Sequence, residues 1–239
     1  MSVLKRLLVS VSCAVAVIGG LTAVSPAPAS AAPGCADVHV LFARGTVETA
    51  PPLGLTGIAF EQSLRNTLRG KSVRVEAVDY RAAANFRNEL AFAQQFVQGV
   101  KDQQARTKQI AAACPDTDIV LGGYSQGAAL TEYTLADEYT VPAKYSEYRS
   151  YLPTPLPDSI SEHVSAVVLF GPPSDRFLRQ GGAPSVEIGK AYRGKTTDYC
   201  AQGDNICNGA SLAQPNAQHL LYPVNGMTDS AARYVARHV

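Results

Sequence analysis

From residue 38 onward, short apolar runs alternate with longer stretches whose apolar residues return at helical spacing. "VHVLFARG" (38–45) is rich in β-branched and aromatic residues and stops at a glycine, which predicts a strand. "GIAFEQSLRNTLRG" (57–70) sets Ile58, Phe60, Leu64 and Leu68 near one helical face and also closes on glycine. "SVRVEAVDY" (72–80) alternates through Val73, Val75 and Ala77, the period of a half-buried strand. A proline-free stretch at 89–114 carries Leu90, Phe92, Phe96, Val97, Val100 and Ile110 and predicts a long helix. "TDIVLGG" (117–123) predicts a short buried strand, and a helix is expected from just after Ser125 to about Tyr139. Residues 141–159 are rich in proline and tyrosine and read as a surface loop, whereas "HVSAVVLFGPP" (163–173) is the most hydrophobic strand candidate past the leader. A weak strand near 186–195 and a final helix capped by Thr228, with Ala232, Tyr234 and Val235 inside it, complete the pattern.

Strands separated in this way by helices indicate an α/β domain with a mostly parallel sheet. The runs at 119–121 and 166–170 are apolar without alternation, as central strands covered on both faces must be. Ligands of such sheets bind beyond the carboxyl ends of the strands. Ser125 lies just past one of those ends, inside "GYSQG" (123–127), which has the spacing of a nucleophile elbow. The reason for that spacing is steric: the serine occupies a strained turn, and side chains on its flanks would strike neighbouring backbone. The helix that follows also offers unpaired N–H groups to a developing oxyanion. A plainer reading, a serine that only caps the helix, does not call for glycine on both sides.

Composition changes the picture in two ways. At 239 residues with 46% hydrophobic and 17% charged residues, the chain can build one sizeable core, and a net charge of +1 argues against a nucleic-acid partner. Residues 1–32 are set apart: Lys5 and Arg6 precede an apolar stretch, then a Pro/Ala/Ser segment containing Ala29-Ser30-Ala31. This is the layout of a cleaved secretory signal peptide, with an uncleaved anchor as the weaker alternative, so 33–239 is expected to form a single domain. Cys13 falls in the leader with no lipid-attachment motif before it. Export leaves Cys35, Cys114, Cys200 and Cys207, enough for two disulfides. Cys200 and Cys207 are close enough to pair locally, which leaves Cys35 with Cys114. No His/Cys/Asp cluster has metal-ligand spacing, and no dinucleotide or phosphate-binding fingerprint occurs, so neither metal nor cofactor is expected.

A serine hydroxyl needs a base, and the base usually needs a carboxylate to orient it. Of four histidines, His39 sits on the first strand, His163 at the amino end of another, and His238 is penultimate. His219, in "PNAQHLLYP", remains as the candidate base. Several aspartates lie between Ser125 and His219, the chain order expected of α/β-type hydrolases. Asp204 is favoured because the Cys200–Cys207 loop, "CAQGDNIC", would give it a rigid support, with Asp175 and Asp198 as competitors.

Together, "FARGT" (42–46), "GYSQGA" (123–128), "CAQGDNIC" (200–207) and the downstream His219 resemble the cutinase family, including its exported bacterial esterases. The resemblance runs from about Cys35 to near the C-terminus. It implies a small α/β-hydrolase with a five-stranded parallel sheet flanked by helices and no large lid, and disulfides paired as above. It implies Ser125 as nucleophile, Asp204 as orienting acid and His219 as base, with an oxyanion hole from Gln126 and Thr46. The family usually has serine where Thr46 stands; threonine keeps the hydroxyl and stiffens its rotamer. The expected activity is hydrolysis of short- to medium-chain esters by a secreted monomer that needs no cofactor and touches lipid surfaces transiently. A phospholipase using the same machinery is the alternative, and a non-catalytic exported binding protein a remote one. Tyr145, Tyr148 and Tyr151 either pack down their loop or contact lipid or polymer.

Overall fold

A computed structural model describes residues 34–141, 143–184 and 186–239. The predicted signal peptide and Cys13 lie outside the described residues. Five strands, β1 (Val38–Ala43), β2 (Val73–Ala77), β3 (Asp118–Tyr124), β4 (Val164–Phe170) and β5 (Thr196–Tyr199), form one sheet in the order β2-β1-β3-β4-β5. Every neighbouring pair is parallel. The chain therefore needs a crossover after each strand, and α1 (Gly54–Thr67), α2 (Glu89–Ala113) and α3 (Gln126–Thr134) supply the first three. Three more helices follow: α4 (Asp175–Gln180), α5 (Lys190–Arg193) and α6 (Met227–Val235).

Side chains on β1 sort by parity, as a pleated strand requires. Val38, Val40 and Phe42 join Val120, Val168 and Phe170 in a core closed by Phe60 and Leu64 of α1 and by Ala231, Ala232 and Val235 of α6. Leu41 and Ala43 join Ile119, Leu121, Val167 and Leu169 in a second core, under Val100 and Ile110 of α2 and Ala128 and Leu130 of α3. With helices on both faces, all six β1 residues are buried. The sequence progresses from β1 outward to β2, then back across to β3. In open parallel sheets ligands bind beyond the carboxyl ends of the strands at such a reversal, here those of β1 and β3.

Several elements differ from expectation. The weak strand near 186–195 is instead a bridge at Ile188 followed by α5, and the fifth strand is Thr196–Tyr199. "TTDY" pairs with β4 alone at the sheet edge, so it lacks the apolar run that marks a central strand. The helix after Ser125 stops at Thr134 rather than near Tyr139, because Ala136 pairs with Ile188 and Asp137 accepts from the Lys190 N–H at 3.1 Å. Residues 141–159 are not plain loop: short 3-10 helices cover Ala143–Tyr151 and Asp158–His163. The latter runs into the amino end of β4, so this insertion returns to the edge opposite Ser125. α6 is capped by Gly226 (φ +82°), while Thr228 lies one residue inside the helix and is buried beside Ser63. Ile58, grouped with Phe60, Leu64 and Leu68 near one helical face, is 45% exposed, whereas Phe60 and Leu64 are buried. Both predicted disulfides are present, Cys35–Cys114 and Cys200–Cys207.

Candidate active site

Ser125 leaves β3 with φ 54° and ψ −117°, a conformation non-glycine residues rarely adopt. Its amide donates to the Phe170 carbonyl of β4 (2.8 Å), which fixes the turn against the neighbouring strand. The flanking glycines are sterically required. A Cβ on Gly123 would collide with the Gly127 carbonyl, and one on Gly127 would collide with the carbonyls of Ala43 and Arg44. The end of β1 thus lies directly on the first turn of α3.

The Ser125 Oγ is 2.8 Å from Nε2 of His219, and Nδ1 of His219 is 2.8 Å from Oδ2 of Asp204. His219 and Asp204 are both almost completely buried. With Asp204 accepting the Nδ1 proton, Nε2 is left as acceptor for the serine hydroxyl. His219 sits on a 3-10 helix, Ala217–Leu220, capped by Asn216, whose side chain also bonds the Gly203 carbonyl at 2.8 Å. The histidine segment is therefore stitched to the Cys200–Cys207 loop. Burial on its own would raise the Asp204 carboxyl, but hydrogen bonds from His219, Tyr222 and the Ile206 N–H outweigh it and hold the group below its ordinary value.

The competing acids go elsewhere. Asp175 opens α4 and Asp198 lies on β5; both act on Glu132 of α3, which burial first, and then these carboxylates, push up to about 8. His39 is buried within β1, His163 ends a 3-10 helix at the far edge, and His238 bonds the Tyr234 carbonyl.

Thr46 follows β1 in a loop with unusual support. Glu48 accepts from the Gly45 N–H and from the Thr56 N–H, both at 2.8 Å, tying the loop to the first turn of α1. Arg44 donates to the Arg81 carbonyl (2.9 Å), Tyr80 donates to the Arg44 carbonyl, and Val47 N–H bonds Ala82 O at 2.8 Å. No described residue accepts a hydrogen bond from the Thr46 or the Gln126 N–H. An oxyanion hole is built from backbone donors of this kind. Next to Thr46 in the chain, Val47 is 70% exposed, and next to His219, Leu220 is 64% exposed; Gln126 packs near Tyr80, Ala82, Phe92, Gln95 and Phe96.

Three residues that shape the site were not singled out from the sequence. Tyr222 donates to Asp204 Oδ2 at 2.6 Å, and Tyr124 donates to the His219 carbonyl at 2.6 Å. Gly171 (φ +53°) ends β4 where a Cβ would come within 3.0 Å of His219 Cε1 and Tyr222 Cε2 and 3.1 Å of Asp204 Oδ2. The available signals were slight: a glycine directly after the most apolar strand, and a tyrosine one turn past the candidate base.

A strained serine backed by imidazole and carboxylate, on the carboxyl edge of an all-parallel sheet, is the arrangement of an α/β-type serine hydrolase. Among the described residues no group of His, Cys, Asp and Glu could hold a metal ion, and no helix is long and apolar enough to cross a membrane. Comparison with known proteins narrows the class: residues 34–239 match the cutinase family, and the chain belongs to it. It is 35% identical over 207 residues to carboxylesterase Culp1 of Mycobacterium tuberculosis, covering 86% of this chain and 82% of that protein. It is 39% identical over 219 residues to phospholipase Culp4 of the same organism, covering 92% and 85%. Trichoderma reesei cutinase in complex with a phosphonate inhibitor superposes with a TM-score of 0.60 at 30% identity, over 85% of this chain and 76% of that one.

Proposed function

We propose that this chain is a secreted serine carboxylesterase that hydrolyses short- to medium-chain esters through an acyl-enzyme, with Ser125 as nucleophile, His219 as base and Asp204 orienting it. One observation carries the reading: the unbroken 2.8 Å contacts from Oγ to imidazole to carboxylate. Ser125 Oγ attacks the ester carbonyl while Nε2 of His219 takes its proton. The Asp204 carboxylate faces the imidazolium so formed, and the oxyanion lies between the N–H groups of Thr46 and Gln126. His219 then protonates the departing alcohol, the acyl group stays on Ser125, and a water activated by the same imidazole releases the acid. Base assistance of this kind contributes about 10²–10⁴ in rate, and an oxyanion donor about 10²–10³.

Exposed Val47, next to Thr46, and Leu220 and Leu221, next to His219, suit an apolar acyl chain. The two disulfides fit an oxidising compartment, in line with export by the leader. Similarity to a phospholipase supports a second reading, in which the same residues act on a phosphoglyceride. The test is covalent labelling with an organophosphonate. Wild type takes up one equivalent and folded Ser125→Ala none; uptake that survives the substitution refutes the assignment. A chain-length series of p-nitrophenyl esters, run beside phosphatidylcholine, chooses between substrates: predominant phospholipid turnover selects the second reading.

A further inference from the structure

We infer that Tyr222 is a positioning residue whose hydroxyl shares the charge of Asp204 and so sets the basicity of His219. This rests on the triad proposed above and goes beyond it. Four hydrogen bonds fix where each proton lies. The Tyr222 oxygen accepts from the Ala201 N–H at 2.9 Å, so its one proton is free for a different acceptor. That acceptor is Asp204 Oδ2, at 2.6 Å. Cys207 Sγ is also near, at 3.6 Å, but it is half of a disulfide and has no proton to give. Oδ2 is the same oxygen that accepts from His219 Nδ1, while Oδ1 is occupied by the Ile206 N–H. Tyr222 is fully buried against Tyr124, Phe170 and His219, with ring centroids 5.6, 6.0 and 6.1 Å away. Burial first, and then the bond to Asp204, push the phenol well above its ordinary range, so it stays a donor.

Two donors on one carboxylate oxygen divide its negative charge. Without the phenol, Oδ2 would face the imidazole alone, bind its proton more strongly and favour the imidazolium. Neutral His219 is the form that accepts the serine proton, so activity is lost as pH falls through the imidazole pKa. A stronger Asp204 moves that loss to higher pH. Tyr222 therefore weakens the pull of Asp204 on the Nδ1 proton while anchoring the histidine segment to the disulfide loop.

The experiment is the pH dependence of kcat/KM for p-nitrophenyl butyrate, comparing wild type with Tyr222→Phe. The acid limb should move upward by roughly half to one pH unit. The plateau should fall roughly tenfold, through kcat rather than KM. A lower plateau with an unmoved limb would mean that Tyr222 only fills space, and a wild-type profile would mean it does nothing; either overturns the inference. Should Tyr222→Phe not fold, the wild-type protein still decides. Its NMR spectrum must show a slowly exchanging Tyr222 hydroxyl proton close to the His219 Nδ1 proton, and an absent signal overturns the inference as well. Phosphonate uptake keeps the two levels apart. Labelling confined to Ser125 with an unmoved limb rejects the role of Tyr222 alone, whereas labelling that persists in Ser125→Ala rejects the triad beneath it.

Discussion

Adding one methyl group at Gly171 should lower catalysis beyond anything that loss of folded protein explains. The Cβ of Gly171→Ala would meet His219 Cε1 and Tyr222 Cε2 at 3.0 Å and Asp204 Oδ2 at 3.1 Å. Relaxed carbon contacts lie at about 3.5–4.0 Å, so each neighbour must yield by roughly half an ångström. Tyr222 is locked among aromatic rings and Asp204 by three donors, which leaves the imidazole as the part able to move. The same shift would stretch the 2.8 Å bond from Nε2 to Ser125 Oγ to the limit of a useful hydrogen bond. A misplacement of about 1 Å costs on the order of 10²-fold in rate, so kcat/KM should fall roughly 10- to 100-fold. Alanine at φ +53° adds about 1–2 kcal/mol of backbone strain, and the crowding a similar amount. The assay pairs p-nitrophenyl butyrate kinetics with urea unfolding. Near-normal activity would refute the reasoning, because the wedge would then have room. Activity lost only in proportion to the folded fraction would show that the site itself was not displaced.

The oxyanion loop and the sheet yield two more expectations. Glu48→Gln offers one amide oxygen where the carboxylate used two, so either the Gly45 or the Thr56 N–H loses its partner. Stability should drop by about 1–2 kcal/mol and kcat several-fold with KM nearly unchanged, and an unaltered kcat would show that Glu48 does not hold Thr46 in place. His39 titrates near 6.5 when unfolded, but burial first, and then Arg74 and Arg106, depress it to about 4 in the fold. Across that interval the unfolded chain binds a proton that the fold refuses, so stability declines as pH falls from 6.5 toward 4. The loss is at most about 3 kcal/mol, tempered by Glu76, which lies 3.4 Å from the ring. Urea midpoints of His39→Gln should depend less on pH than those of wild type over this range, and parallel curves would rule the effect out.

How much was legible varies by element. β1, β3 and β4 stood out because strands covered on both faces need unbroken apolar runs, and α2 because its periodicity is long. β5 escaped because an edge strand with one partner can be made of Thr, Asp and Tyr. The end of α3 was misplaced because the contact that stops it, Ala136 with Ile188, comes from far along the chain. Ser125 was legible because the glycine spacing around it is local in sequence, although Gly127 answers a collision with the distant Ala43 and Arg44. Asp204 could only be preferred over Asp175 and Asp198, because all three stand in turn-like or polar surroundings.

By itself, the order of residues determined the alternation of strands and helices, the spacing of the elbow and the pool of cysteines, since these depend on burial pattern and on residue types within a short stretch. Tertiary structure alone decided which acid reaches His219, that Tyr222 lends it a second donor, and that Gly171 leaves room for all three. Ser125 and His219 are 94 positions apart, and their meeting depends on strand order and packing to a fraction of an ångström. Such distances are a property of the whole sheet, and no local stretch of residues carries them.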